Sequence, residues 1–301
     1  MATASMRRGG RDRQRRLVGL LFVAPFCLVF LAFLVAPLAY AFRLSLFTST
    51  LVGGEHFSWF TNYREAFGDP QFRSGVLRVV VFGLVQIPLM VALALISALL
   101  LDSVTSRLAR VFRMALFMPY AVPAVIGALM WGYLYSPTFG PAQSVANALG
   151  SGPVDLLSRD LMLLSLGNIV TWQWTGYNMI VLYSALQGLP RETYESARVD
   201  GASQVQIALR IKIPMISSAL VLTTVFAIIG TLQFFTEPRV LRAIASSVIT
   251  PSYTPNLYAY NLAFQYSQFN YSAAISFALG AVVFVGSYLF LFTVRRRSGL
   301  T

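Results

Sequence analysis

The chain has 301 residues, of which 56% are hydrophobic and only 11% charged, where ordinary soluble domains carry about 25% charged residues. This excludes a large soluble domain and makes the chain an integral membrane protein. The net charge of +12 does not signal nucleic acid, because the basic residues stand in short groups beside apolar runs and form no basic domain.

Residues 1–16 hold six arginines and no apolar run, and read as a cytoplasmic basic tail. A transmembrane region follows over 17–294. A hydrocarbon core takes about 20 apolar residues in helical form. Six runs meet that need, at about 17–42, 74–101, 111–135, 161–187, 216–235 and 271–294. Ala39-Tyr40-Ala41 fits a signal-peptidase site, but the first run exceeds the roughly 7–15 residues of a signal core. Residues 43–73 are mixed and suggest an external loop with short interfacial helices. Residues 136–160, rich in Gly, Pro and Ser, and 236–270, rich in Tyr and Asn, also read as external. Residues 295–301 form a second cytoplasmic tail. Pro25, Pro37, Pro88, Pro119 and Pro123 lie inside spans, where they kink helices that bundle packing tolerates.

Orientation follows from the basic residues. Sixteen of the 23 Lys and Arg residues fall on the N-terminal side of the membrane if there are six spans, and seven fall on the other. Both termini and the 190–214 segment are then cytoplasmic.

That segment is polar and sits between two apolar spans. Pro190 suits a helix start. Gly201 stands where a left-handed cap ends the helix. Ser203 followed three residues later by Gln206 is a capping-box pattern for a second helix. Ile207, Leu209, Ile211 and Ile213 make the second helix apolar, and Pro214 ends it. The expectation is a helix–turn–helix hairpin packed on the membrane domain, since helices this short are marginal alone.

This stretch resembles the EAA loop of the inner-membrane permeases of ABC importers. The family pattern is Glu-Ala-Ala, three residues, Gly, nine residues, then Ile-x-Leu-Pro. Here Glu195-Ser196-Ala197 precedes Gly201, and Ile211-Lys212-Ile213-Pro214 falls at the same spacing. Ser196 and Ile213 depart by small or isosteric changes. Tyr194, Asp200-Gly201-Ala202-Ser203, Met118–Pro123 and Trp131–Gly140 look like the carbohydrate branch. The resemblance implies an all-α ABC importer permease fold with six transmembrane helices, multi-pass in a bacterial inner membrane. It implies a coupling role for Glu195, Ala197, Asp200, Gly201, Ile211 and Pro214, because in this family the hairpin inserts into a cleft of the ATPase. It also implies partners: a second homologous permease, an ATPase subunit dimer and an extracytoplasmic solute-binding protein, besides membrane lipid.

The chemistry of the chain agrees. No nucleophile–base set stands out, and the single Cys27 and His56 supply no usual His/Cys metal set. No Gly-x-x-x-x-Gly-Lys phosphate loop exists, since Arg-Ile precedes Lys212. ATP and Mg would bind the partner ATPase, and this chain would bind no cofactor. A separate class of reading is an ion-coupled carrier or channel acting alone. Such proteins commonly place charges in mid-span, whereas here Arg78 and Glu237 lie toward span ends. A polytopic enzyme would need an Asp/His/Glu cluster at a membrane face, and none is found.

In the fourth span Asn168, Thr171, Thr175 and Asn178 recur at steps of three and four, so they share one helical face bordered by Trp172. Polar groups facing lipid are costly, so the stripe should face the bundle interior, as path wall or as helix–helix glue. In the fifth span Ser217, Thr224 and Thr231 repeat every seven residues, with Gln233 and Phe234 beyond. In related permeases the sugar site lies on these two spans. Asn168, Thr171, Trp172, Thr175, Asn178, Thr224, Thr231, Gln233 and Phe234 are therefore substrate-path candidates.

Overall fold

A computed structural model describes residues 5–50, 54–103, 107–138, 140–141, 143, 148, 150 and 154–298. Helix α1 (Ser5–Phe30) starts within the stretch read as a tail. It runs through a π-helical segment at Leu31–Val35 into α2 (Ala36–Ser45). The apolar rod Val18–Ser45 has 28 residues, and none of its most apolar window is buried within the chain. Only its end packs, with Phe42 edge-on to Phe277 at 5.3 Å. The π segment has a local cause. Pro37 follows two residues later and offers no N–H, so the helix upstream rewinds and Ala36 N–H bonds the Leu31 carbonyl five residues back.

Residues 43–50 and 54–73 form a compact unit. Strands β1 (Phe47–Thr50) and β2 (Gly54–Phe57) pair antiparallel with Phe47 opposite Phe57. Helix α3 (Thr61–Gly68) follows. Its buried Asn62 donates to the Ser45 and Phe47 carbonyls at 2.9 and 2.8 Å, fixing the unit to α2. Asp69 then accepts from Gln71 N–H at 2.7 Å, and Pro70 opens α4 (Pro70–Ser103), which begins four residues before the expected span.

The span expected at 111–135 is broken. Helices α5 (Arg107–Ala121) and α6 (Ala124–Leu134) meet at 95°. Pro119 offers no N–H to the carbonyl four residues before it, and Pro123 disfavours helical geometry at Val122. Helix α7 (Met162–Gln187) is the centre of the bundle. Met162, Leu166, Ile169, Met179 and Leu182 on it are fully buried, against α4 and its neighbours. At Gly176 the α5 backbone lies so close that an added Cβ would land on the Leu116 carbonyl.

Helices α8 (Arg191–Val199) and α9 (Gln204–Ile207) form the polar hairpin. The second helix is not continuous. It passes into a π segment at Ala208–Lys212 and a helical turn at Ile213–Met215, where Pro214 repeats the Pro37 arrangement. Helix α10 (Ser217–Leu232) leads through a break into α11 (Thr236–Leu241). After α12 (Pro255–Phe264), α13 (Phe269–Ser298) completes the bundle.

The segment read as polar and external at 236–270 is largely packed into the core. Leu241, Ile249 and Leu257 are almost wholly buried, and α12 packs along α13. Its turn-forming residues are satisfied internally. Thr254 caps α12 through Leu257 N–H, Asn261 donates to the Pro251 carbonyl, and Arg78 of α4 donates to the Tyr253 carbonyl.

Among the described residues four helices are long and apolar enough to cross a membrane, and the α5–α6 pair makes a fifth if its bend lies within one span. At 26 residues α7 is about 39 Å long, which also suffices, but its polar residues keep it below that standard of apolarity.

Candidate functional site: the hairpin and the cavity above it

The hairpin turn is a Schellman motif. Ala202 N–H bonds the Ala197 carbonyl at 2.9 Å and Gly201 N–H bonds the Arg198 carbonyl at 3.0 Å. Gly201 has φ +85°, the left-handed value the motif needs. Asp200 is the C-cap, its N–H bonding the Ser196 carbonyl. Ser203 and Gln206 then form the reciprocal capping box, at 3.3 and 2.8 Å. Two successive devices thus stiffen the stretch from Ser196 to Gln206, which has little core of its own.

The hairpin is fixed to the bundle at two points. Ile207 is 1% exposed and Lys212 is 6% exposed. Lys212 Nζ meets Asp102 at the end of α4 in the one ion pair among the described residues, and it lies 4.6 Å from the centre of the Tyr194 ring. Gln187, ending α7, donates to the other Asp102 oxygen at 2.6 Å. Asp102 and Lys212 together therefore tie α4, α7 and both arms of the hairpin. Sequence reasoning missed it; its signal was a lone carboxylate ending a long apolar run. Of the residues expected to couple, Ala197 and Ile211 are half-buried, and Pro214 sits at the helix break. Glu195, Asp200 and Gly201 are exposed. The expected apolar packing side is narrower than the run of isoleucines suggested. Leu209 is 61% exposed, and Val199 and Val205 are exposed beside it at 89% and 66%.

Behind the hairpin a cavity of about 380 Å³ opens between α8 and the ends of α4 and α7. Arg110, Arg113, Arg191, Arg198 and Glu195 line it.

Deeper in the bundle a cavity of about 260 Å³ lies among α4, α7, α10 and α11. Four of the path candidates, Asn178, Thr231, Gln233 and Phe234, line it, together with Trp174, Tyr177 and Glu237. Phe234 stacks on Phe82 at 5.1 Å, and Tyr177 stacks on Tyr120 at 4.8 Å. The other candidates lie off its wall. Asn168 is exposed and donates to the Tyr135 hydroxyl at 2.7 Å. Thr175 donates back to the Thr171 carbonyl, and Thr224 to the Leu220 carbonyl. Trp172 packs edge-on to Trp131 at 5.7 Å. The polar stripe thus runs along the margin of the packed face of α7. The centre of that face carries the buried Ser165 and Gln173. Gln86 of α4 is also buried, and it reaches Thr171 on one side and Thr231 on the other, each at 3.5 Å. A single amide in a long apolar span was the signal for it. Glu237, expected near a span end, is 6% exposed on the cavity wall.

At the opposite end from the hairpin, a third cavity of about 700 Å³ lies between α3 and the start of α13. Asp69 accepts there from the Tyr258 and Tyr271 hydroxyls, at 2.7 and 3.0 Å. Burial, followed by the Asp69 hydrogen bond and charge, pushes the Tyr258 phenol well above its ordinary range, so it remains a donor.

Comparison with known proteins decides the family. The family described as "Binding-protein-dependent transport system inner membrane component" matches residues 73–298. This chain belongs to that family. Among its relatives is the lactose transport system permease protein LacF of Rhizobium radiobacter, 32% identical over 99% of this chain and 100% of the relative. The arabinooligosaccharides transport system permease protein AraP of Bacillus subtilis is 29% identical over 96% and 93% of the two chains. The same fold occurs in a bacterial alginate ABC transporter solved with an alginate pentasaccharide-bound periplasmic protein, with TM-score 0.79, 20% identity and coverage of 96% and 97%. The binding-protein-dependent permease described above is thus a translocation subunit of an ABC importer, multi-pass in the inner membrane. It is a transport component of that system, and the all-α reading and the family resemblance both hold.

Proposed function

We propose that this permease passes a sugar or a related polyol, and that its 190–214 hairpin couples the movement to ATP hydrolysis by a separate subunit. The observation that carries the coupling reading is the rigid, doubly capped hairpin that leaves Val199, Val205 and Leu209 exposed. Exposed apolar side chains on a stiff projection favour burial against another protein. The ATPase would hold ATP and Mg, and the assembly would include a second permease, an ATPase dimer and an extracytoplasmic binding protein. Six spans, counting α5–α6 as one and including α7, would place both termini and the hairpin in the cytoplasm. The sugar reading is supported by the relatives named for lactose and arabinooligosaccharides. It is also supported by the central cavity, where amides, hydroxyls and aromatic rings stand ready to bond and stack against hydroxylated rings.

Switching an alternating-access equilibrium from 1:99 to 99:1 takes about 5.5 kcal/mol of differential stabilisation, which a stiff lever can deliver. The test is uptake in proteoliposomes that contain the co-purified assembly. ATP-dependent uptake of a sugar captured by the co-purified binding protein is expected, and Glu195→Lys should abolish it while the chain remains inserted. Uptake by this chain alone without ATP would make it a stand-alone carrier, and normal uptake by the Glu195→Lys assembly would remove the hairpin from the coupling path.

A further inference from the structure

The 380 Å³ cavity behind the hairpin is strongly basic, and the coupling role does not account for that charge. Arg110, Arg113, Arg191, Arg198 and Lys212 line it against only two carboxylates, Asp102 and Glu195. Asp102 is already committed to Lys212 and Gln187. Four guanidinium groups therefore line the cavity beside one remaining carboxylate, and among the described residues none of the four is in an ion pair, Arg198 donating instead to the neutral Gln204 side chain. Arg113 is held in place over the Tyr183 ring, 5.2 Å from its centre. Arg110 and Arg113 stand three residues apart, on one face of α5. Like charges gathered in a concave site repel one another, and a bound anion relieves the repulsion.

The position of the cavity narrows the choice of anion. The last residues of α4, Leu101 to Ser103, and the last residue of α7, Gln187, form its floor. Both helices stop there, at one end of the bundle, and the end of a membrane-spanning helix longer than about 20 residues lies at or beyond the edge of the hydrocarbon region, on the side where lipid phosphates stand. Basic pockets between helix ends at this depth suit phosphate headgroups, and planar guanidinium forks match phosphate oxygens. The exposed apolar strip of the hairpin, by contrast, is made of side chains that do not line the cavity.

We infer that this cavity is a binding site for a phosphate ester anion, held by Arg110 and Arg113 of α5 together with Arg191 and Arg198 of α8. The inference rests on charge and position, and stands whether or not the hairpin couples to an ATPase. A phospholipid headgroup and a soluble phosphate ester share the required chemistry.

Native mass spectrometry of the detergent-solubilised full chain, with the subunits that co-purify, separates these sources. The probes are phosphatidylglycerol, phosphatidylcholine and soluble glycerol phosphate. One tightly retained phosphatidylglycerol that phosphatidylcholine does not replace is expected for the wild type. Retention should fall at least tenfold in Arg110→Gln/Arg113→Gln. It should fall less in Arg110→Lys/Arg113→Lys, which keeps the charge but loses the planar fork, and persist in the tail control Arg295→Gln/Arg296→Gln. Unfolding midpoints measured without added lipid show that the variants are folded. Retention of glycerol phosphate without lipid retention, lost in the same glutamine variant, assigns the site to a soluble ester. Absence of both, or equal retention by the wild type and the glutamine variant, overturns the site. Loss of a co-purifying protein in the glutamine variant, with neither phosphate probe retained by the wild type, assigns the basic groups to an acidic protein partner instead and also overturns it.

Discussion

Two glycines show how differently the same residue type constrains this chain. At Gly176 the constraint is space. The α5 backbone crosses there, and a Cβ would collide with the Leu116 carbonyl and crowd the Phe117 Cα, neither of which is a flexible side-chain tip. Gly176→Ala must push α5 off α7, so a loss of about 3 kcal/mol or more is expected, read as a lower unfolding midpoint of the detergent-solubilised protein. An unchanged midpoint would mean that α5 does not lie against α7. At Gly201 the constraint is conformation. Nothing lies within 4 Å of the added Cβ, but φ is +85°. Gly201→Ala should cost about 1–2 kcal/mol through backbone strain alone, and Gly201→Asn less, because asparagine tolerates the left-handed region. Protease sensitivity of the hairpin should rise in that order, Asn before Ala. Equal sensitivity of the two variants would mean that the turn is not held in the left-handed form. The Gly201 position was legible from spacing and cap chemistry, which act within five residues. The Gly176 position was not, because the backbone it admits lies sixty residues away in sequence.

At the scale of elements, the hairpin was read well from its local code, and the attachment of the hairpin was not. The Schellman turn and the capping box need only neighbouring residues. Asp102 and Lys212 are more than a hundred residues apart, and either alone looks like an ordinary surface charge at a span end. The 236–270 segment shows the same limit from the other side. Its Pro, Tyr and Asn residues have the composition of a loop, yet tertiary partners such as Arg78 satisfy them inside the core. The break between α5 and α6 was foreshadowed by Pro119 and Pro123, but prolines in spans are often absorbed as kinks, and only packing turns one into a 95° bend. The Asp102–Lys212 pair gives a prediction at this scale. Both side chains are more than nine-tenths buried, so removing one partner strands a buried charge. Asp102→Asn or Lys212→Met alone should cost about 3–5 kcal/mol, and the double variant clearly less than the sum. A double-mutant cycle on unfolding midpoints measures the coupling, and strict additivity would show that the pair does not hold the hairpin to α4.

For the whole molecule, the question is which exposed surfaces belong to lipid and which to protein. Hydrophobic exposure runs from Val18 to Tyr40 with no charged residue in between, which is what a lipid-facing rod requires. The exposure at Val199, Val205 and Leu209 is different in kind. It is short, it stands among charged residues, and it lies on a turn stiffened by its own hydrogen bonds. Such a strip would be an unfavourable surface unless another protein covers it. Val199 gives the cleanest test, because at 89% exposure it contributes almost nothing to this chain's own packing. Val199→Asp should shift the stability of the isolated chain by no more than about 0.5 kcal/mol. In the assembly the same change would bury a charge in an apolar contact, at a cost of several kcal/mol. The expected outcome is a normal unfolding midpoint, normal insertion, and a drop in ATP-driven uptake of tenfold or more, with the co-purifying ATPase reduced in yield. Full uptake by Val199→Asp would place the protein contact elsewhere on the hairpin. A lowered midpoint in the isolated chain would mean that Val199 packs within the chain itself.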